Sequence, residues 1–429
     1  MTRKTPLWRL LAVAGAASLV LAACGGDDDD GTEPEAEPTG EETDGAAPEG
    51  FEGQLALGTL LPQTGSLAFL GPPEFAGVDL AVQEINEAGG VGGSDVTVTH
   101  TDSGDTTTDI ASQSTERLLS EGVAAIIGAA SSGVSFTVLD QIVQNETIMF
   151  SPANTSPDFT TYDDGGLYFR TAPSDVLQGR VLGDLVLNDG YLDVGIMALQ
   201  DAYGEGLAEN VTISIEDGGG TIVESIIYDP QAASYTAEVT QLAAADPEAI
   251  VLIGFDETST ILPELETQGI GPQDVPVYFV DGNLSNYGDE LPEGFLEGNK
   301  GTLPGAEAPE EFQQRLLEVN ADLNDFSYAG ESYDATMLIA LAAIQAQSVE
   351  SRAIADNLVA ISKDGTKCTS FAECVDLLGQ GEDIDYDGVS GPITFSDVGD
   401  VTEATIGIYE YQADNTYTNV DYQFGSLEE

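Results

Sequence analysis

Short apolar runs alternate with longer amphipathic ones from Gln54 onward, and the alternation happens twice. In the first set, strands are predicted at Gln54–Leu61, Val96–Thr101, Ala124–Gly128 and Thr147–Ser151. Helices are predicted between and around them at Pro73–Ala88, Thr107–Ser120 and Gly133–Val143. After Arg170 the rhythm restarts, with helices at Ser174–Asn188, Tyr203–Ile215, Tyr235–Ala244 and Thr258–Thr267. Its strands are at Val194–Leu199, Thr221–Ile227, Ala249–Ile253 and Val277–Val280. Strands that alternate with helices demand crossover connections, hence parallel sheets covered on both faces. Two such sets predict an α/β protein of two doubly wound lobes. Helical patterns at Pro309–Leu323, Gly330–Gln347 and Ser351–Ala360 follow. A hairpin of Thr405–Tyr411 and Tyr417–Tyr422 turns at Asp414-Asn415.

The beginning of the chain is expected to be an address. Arg3, Lys4 and Arg9 precede an apolar stretch from Leu10 to Ala23, short for a membrane span. Leu21-Ala22-Ala23-Cys24 resembles the lipobox of bacterial lipoproteins, which implies a signal peptide over 1–23 and a lipid on Cys24. Residues 24–50 hold eleven acids and no aromatic residue, too little apolar surface to offset ordering, so a disordered tether is expected. The expected location is the outer face of a cell membrane, lipid-anchored.

Charge and residue usage exclude several functions. Without the leader's three bases and the tether's eleven acids, 65 acids face 8 bases. Such a surface repels nucleic acid and anionic membrane. His100 is the single histidine, which leaves little material for imidazole catalysis or multi-histidine metal sites. No Gly-x-Ser-x-Gly nucleophile motif ends a strand, and neither an enzyme nor a cofactor is expected. Outside the cell, Cys368 and Cys374 form a close pair that suits a disulfide better than a metal site wanting four ligands. Asp383-Ile384-Asp385-Tyr386-Asp387-Gly388 matches the front half of a calcium loop, but Thr394 stands where the bidentate acid is required, so no metal is expected.

Open parallel sheets place their crevice at the carboxyl ends of the strands, where helix N-termini offer N–H groups to anions. That rule selects Thr59-Leu60-Leu61-Pro62-Gln63-Thr64-Gly65, Gly128-Ala129-Ala130-Ser131-Ser132-Gly133 and Ser151-Pro152-Ala153-Asn154-Thr155 in the first set. In the second it selects Asp201-Ala202-Tyr203-Gly204-Glu205-Gly206, Gly254-Phe255-Asp256 and Asp281-Gly282-Asn283. Ser131 and Ser132 also suit a helix N-cap.

These motifs, with the Gly89-Gly90-Val91-Gly92-Gly93 turn and Tyr333-Asp334, resemble the type I periplasmic binding proteins, in particular the leucine/isoleucine/valine-binding kind. The resemblance runs from about Gln54 to the C-terminus and implies two lobes joined by a three-segment hinge. Lobe one would comprise 51–172 and 302–397, and lobe two 173–301 and 398–429. The hinge would lie near Arg170–Ser174, Lys300–Leu303 and Asp397–Thr402. It also implies that Ser132 and Thr155, with backbone N–H groups near Ala130 and Ser131, hold a ligand carboxylate. The Ala153 carbonyl and Asp281 would hold an ammonium, and Tyr203 and Phe255 would close over the ligand. Leu70 and Asn154 depart from the branched-chain pattern and are expected to reshape the side-chain pocket. The implied role is an ABC-transporter solute-binding lipoprotein, monomeric, delivering a branched-chain amino acid to a permease. A receptor's ligand sensor and an amide- or urea-binding protein remain as alternatives.

Overall fold

The computed structural model describes residues 51–427 except Glu52, Asp289 and Glu307, so the predicted leader 1–23, Cys24 and tether 24–50 lie outside the described residues. Among the described residues, no helix is long and apolar enough to cross a membrane.

The first sheet contains β1 (Ala56–Leu61), β2 (Thr97–Asp102), β3 (Ala125–Gly128), β4 (Ile148–Ser151) and β5 (Tyr168–Arg170), in the order β2-β1-β3-β4-β5. All its pairings are parallel. Helices α1 (Gly71–Glu87), α2 (Ile110–Glu121) and α3 (Ser132–Gln144) make the crossovers. Next come α4 (Asp175–Asn188), β6 (Asp193–Leu199), α5 (Ala202–Asp217), β7 (Thr221–Tyr228), α6 (Thr236–Ala244), β8 (Ala249–Ile253), α7 (Thr258–Thr267), β9 (Val277–Phe279) and β10 (Lys300–Pro304). They are followed by α8 (Glu310–Val319), α9 (Ala329–Ala346), α10 (Ser351–Leu358), β11 (Thr366–Cys368), α11 (Phe371–Gly379), β12 (Ile384–Tyr386), β13 (Glu403–Tyr411) and β14 (Tyr417–Ser426).

The second sheet has the order β14-β13-β10-β9-β8-β6-β7. Its β7-to-β10 part is parallel and repeats the winding of the first sheet, while β13 and β14 extend it antiparallel. Strands β3 and β8 are buried along their whole length, which is why each reads as an unbroken apolar run with no alternation. Helix α9 is buried from Ala329 to Ala343 and sits between α1 and the first sheet; it is apolar on every side from Met337 to Ala343, while its first turns bury Glu331, Ser332, Asp334 and Thr336. A Cβ on Gly77 would lie 2.2 Å from the Ala329 carbonyl oxygen, so α1 and α9 approach closely because that position has no side chain.

The chain passes between the sheets three times: after β5, after β10 and before β13. The expected boundary between 301 and 302 falls inside β10, whose ladder runs on to Pro304. At the third passage, Gly399 accepts a hydrogen bond from the Arg170 N–H at the end of β5. The Arg170 side chain is fully buried there. Its Nε donates to Asp400 Oδ1 at 2.6 Å, and Nη1 donates to the Ser156 carbonyl at 2.8 Å. Thr160 Oγ1 completes the knot, donating to Asp400 Oδ2 at 2.6 Å.

The short β11–β12 pair lies beside α11, and the Cys368–Cys374 disulfide ties β11 to that helix. Asp385 and Asp387, from the calcium-like motif, flank Lys367 Nζ at 3.2 and 2.9 Å. No group of three or more His, Cys, Asp or Glu among the described residues could hold a metal ion.

Candidate functional site: a cleft between two switch points

In each sheet the winding reverses beside its first strand, between β1 and β3 and between β6 and β8, and ligands bind at such points. The two reversal points face each other. Ser156 Oγ donates to the Ala202 carbonyl at 2.9 Å across the gap, and Gly133 at the start of α3 abuts Asp201 at the start of α5. Between them lies a narrow cleft with about 20 Å³ of free space, lined by Ala130, Ser131, Ser132, Ala153, Thr155, Tyr203, Phe255 and Asp281. The structure thus brings all eight of the residues that the resemblance assigns to the ligand to one place, whereas Thr59–Gly65 does not line it. Leu67, Leu70, Gly282 and Tyr328 complete the lining.

One wall is rich in donors. Ser131 caps α3 by accepting from Val134 N, and the first N–H groups of that helix have no intrahelical partner. Thr155 Oγ1 is buried without a hydrogen-bond partner, and the Ala153 carbonyl takes no donor among the described residues. This loop is held from behind. Asn154 is fully buried and donates to the Ala129 and Ala130 carbonyls at 3.0 and 2.8 Å, while Tyr168 Oη donates to its Oδ1 at 3.0 Å. Asn154 therefore braces the wall and does not line the cleft, contrary to the expectation that it reshapes the pocket. Leu70 does line it, beside Leu67.

The opposite wall carries a carboxylate. Asp281 Oδ1 accepts from Tyr203 Oη at 2.7 Å and Gln178 Nε2 at 2.9 Å, and Oδ2 accepts from Tyr328 Oη at 2.8 Å. Burial raises its pKa, and the three donors oppose the rise. The Tyr203 ring stacks on Phe255, with centroids 5.6 Å apart. Tyr328 and Gln178 were missed because neither follows a strand. Tyr328 precedes α9 in a left-handed conformation at φ 58°, and Gln178 sits within α4.

More carboxyls are buried nearby. Asp175 is fully buried with both oxygens unpartnered; burial and then the charge of Asp281 push its pKa well up, opposed by the neighbouring Thr155 hydroxyl and the Arg170 charge. Burial moves Asp201 up to about 6 and Glu331 up to about 8. It also lifts Glu74 well above the usual range, with Glu331 adding to the rise. Such groups hold their protons more tightly folded than unfolded, so stability present at low pH is lost as pH rises through the folded values. Melting temperature is therefore expected to fall between about pH 4.5 and pH 8, the span of the Glu331 shift. Glu331→Gln should flatten the upper part of that slope, measured by scanning calorimetry. An unchanged slope would refute the assignment to Glu331.

Comparison with known proteins agrees with this architecture. The model of the periplasmic binding protein family matches residues 54–415, and the chain belongs to that family. It is 30% identical over 213 residues to Leu/Ile/Val-binding protein homolog 3 of Brucella melitensis, covering 48% of this chain and 56% of that one. The match thus spans little more than half of that relative's length. A substrate-binding protein of a chemotactic signal transduction system in Halobacterium salinarum, BasB, is 26% identical over 79% of this chain and 83% of its own. The fold resembles that of the branched-chain amino acid transporter substrate-binding protein LivJ from Streptococcus pneumoniae in complex with isoleucine. There the TM-score is 0.70 with 22% identity, over 87% of this chain and all of that one.

Proposed function

We propose that this chain is an extracytoplasmic solute-binding protein, anchored by lipid at Cys24, that delivers a small amino acid with an apolar side chain to an ABC permease. The observation that carries the proposal is the polarity of the cleft. The first N–H groups of α3 and the unpartnered Thr155 hydroxyl line one wall, Asp281 lines the other, and Leu67, Leu70 and Phe255 complete the lining. A carboxylate would lie at the α3 start, where helix N–H groups favour anions. The ammonium would lie against Asp281 and the Ala153 carbonyl, as charge-assisted hydrogen bonds. The two lobes would turn about the three crossings, and the ligand would shift the population toward the closed form that the permease reads. The Brucella relative's name supports a branched-chain ligand.

Thermal shift with the amino acids, short amides and urea tests this. A ligand at 100 times its dissociation constant should add about 2.7 kcal/mol of stability. Leucine, isoleucine or valine should give the largest shift. Stabilisation by amides or urea alone would refute the amino-acid reading. The Halobacterium relative favours a second reading, presentation of the same ligand to a signalling receptor. Co-purification of the loaded protein with a permease or with a transducer would decide between them.

A further inference from the structure

Beside the cleft lies a larger groove of about 570 Å³, open to solvent. It runs between residues 303–308, the loop before α9 and the β13–β14 hairpin, and it shares Tyr328 with the cleft. Its walls are aromatic, with Phe326, Tyr409, Tyr417 and Tyr422 among them, and no Lys, Arg or His among the described residues lines it. The Tyr409 and Tyr417 rings meet nearly perpendicularly, centroids 5.5 Å apart. Asp325 is already engaged, accepting from Ser327 N at 2.7 Å and Tyr417 Oη at 3.1 Å.

Glu331 is different. It lines the groove yet is only 6% exposed, and apart from its own backbone N–H no donor among the described residues meets its carboxylate. Gly305, at φ 92°, leaves the space this carboxylate needs: a Cβ there would lie 2.5 Å from Glu331 Oε1. Behind it Glu74 is fully buried with both carboxyl oxygens unpartnered, so no cation compensates from the inside. An ionised carboxylate buried without a partner is costly, so Glu331 holds its proton up to about pH 8 unless something outside the protein supplies a cation.

We propose that this groove is a second binding site, for a guanidinium group that pairs with Glu331 and lies flat against the tyrosine rings. Guanidinium suits it because the group is planar, weakly hydrated, permanently charged and stacks on aromatic faces. The site adjoins the cleft, with Tyr328 common to both, and its recognition by Glu331 does not depend on which ligand the cleft takes. The group can arrive on a free arginine-like molecule or on an arginine side chain of a protein partner.

Isothermal titration of the purified full chain with N-acetyl-arginine methylamide tests the proposal. Saturable binding is expected, at least tenfold weaker in Glu331→Gln, at least tenfold weaker for the capped citrulline isostere, and unchanged in Asp281→Asn. Because the probe stays charged, its affinity should rise with pH toward 8, by about tenfold per unit, as Glu331 ionises. Free arginine binding as well as the capped form would support the small-molecule source, and its exclusion would support a peptide source. Equal binding by Glu331→Gln or by the citrulline probe overturns the proposal, as does loss in Asp281→Asn, which would put the probe in the cleft. Should Glu331→Gln fail to fold, Ala306→Trp at the groove rim decides: it should block binding, and undiminished binding overturns the site.

Discussion

Asp400→Ala is expected to destabilise the protein by about 3–5 kcal/mol, the largest single loss predicted here, because it leaves Arg170 buried without its counter-charge. Arg170 is fully enclosed, and its remaining contacts, the Ser156 and Asn154 carbonyls and Thr160 Oγ1, are neutral. Thr160 also loses its acceptor. Arg170→Met together with Asp400→Leu should restore most of the loss, since an apolar pair of similar volume avoids desolvating either charge. Denaturant unfolding of both variants checks this. A single variant that melts like the parent would show that the buried pair is not holding the third crossing to β5.

Asp281→Asn should separate binding from stability. Loss of the buried charge opposite the ligand's ammonium is expected to cost about 3 kcal/mol, somewhat over a hundredfold in Kd. Folding should hardly change. Asparagine keeps the shape, Tyr203, Tyr328 and Gln178 can still find partners, and the carboxylate whose burial raises its pKa is gone. Alanine would be the poorer probe, because it strands three buried donors. Unaltered affinity by calorimetry would remove Asp281 from the ligand site and redraw the cleft.

Much of this was legible because parallel strands buried on both faces leave plain apolar runs: β3 is Ala-Ile-Ile-Gly and β8 Ala-Ile-Val-Leu-Ile. Elements defined by neighbours were not. Strand β10, Lys-Gly-Thr-Leu-Pro, has no apolar run and forms because β9 and β13 flank it. Strand β5 is three residues ending in Arg170, and β11, α11 and β12 owe their place to a disulfide and one another. The cleft was legible wherever a residue follows a strand, as Ser132, Thr155, Tyr203 and Asp281 do. Tyr328, just before α9, and Gln178, within α4, come to Asp281 only in three dimensions, and Asn154 turns away from the cleft to brace Ala129 and Ala130.

The three passages between the sheets also limit what kind of movement is available. Two bodies on one strap can twist, slide and swing about every axis. Each further strap removes freedom, and three side by side, one of them knotted at Arg170 and Asp400, leave little beyond a swing about a single line. The molecule's shape should then be described by one coordinate. Scattering profiles collected at any ligand concentration should be weighted sums of two end states, with no third component. A partner that reads shape would need to sense that coordinate alone, so one surface spanning both lobes would suffice to tell a loaded molecule from an empty one.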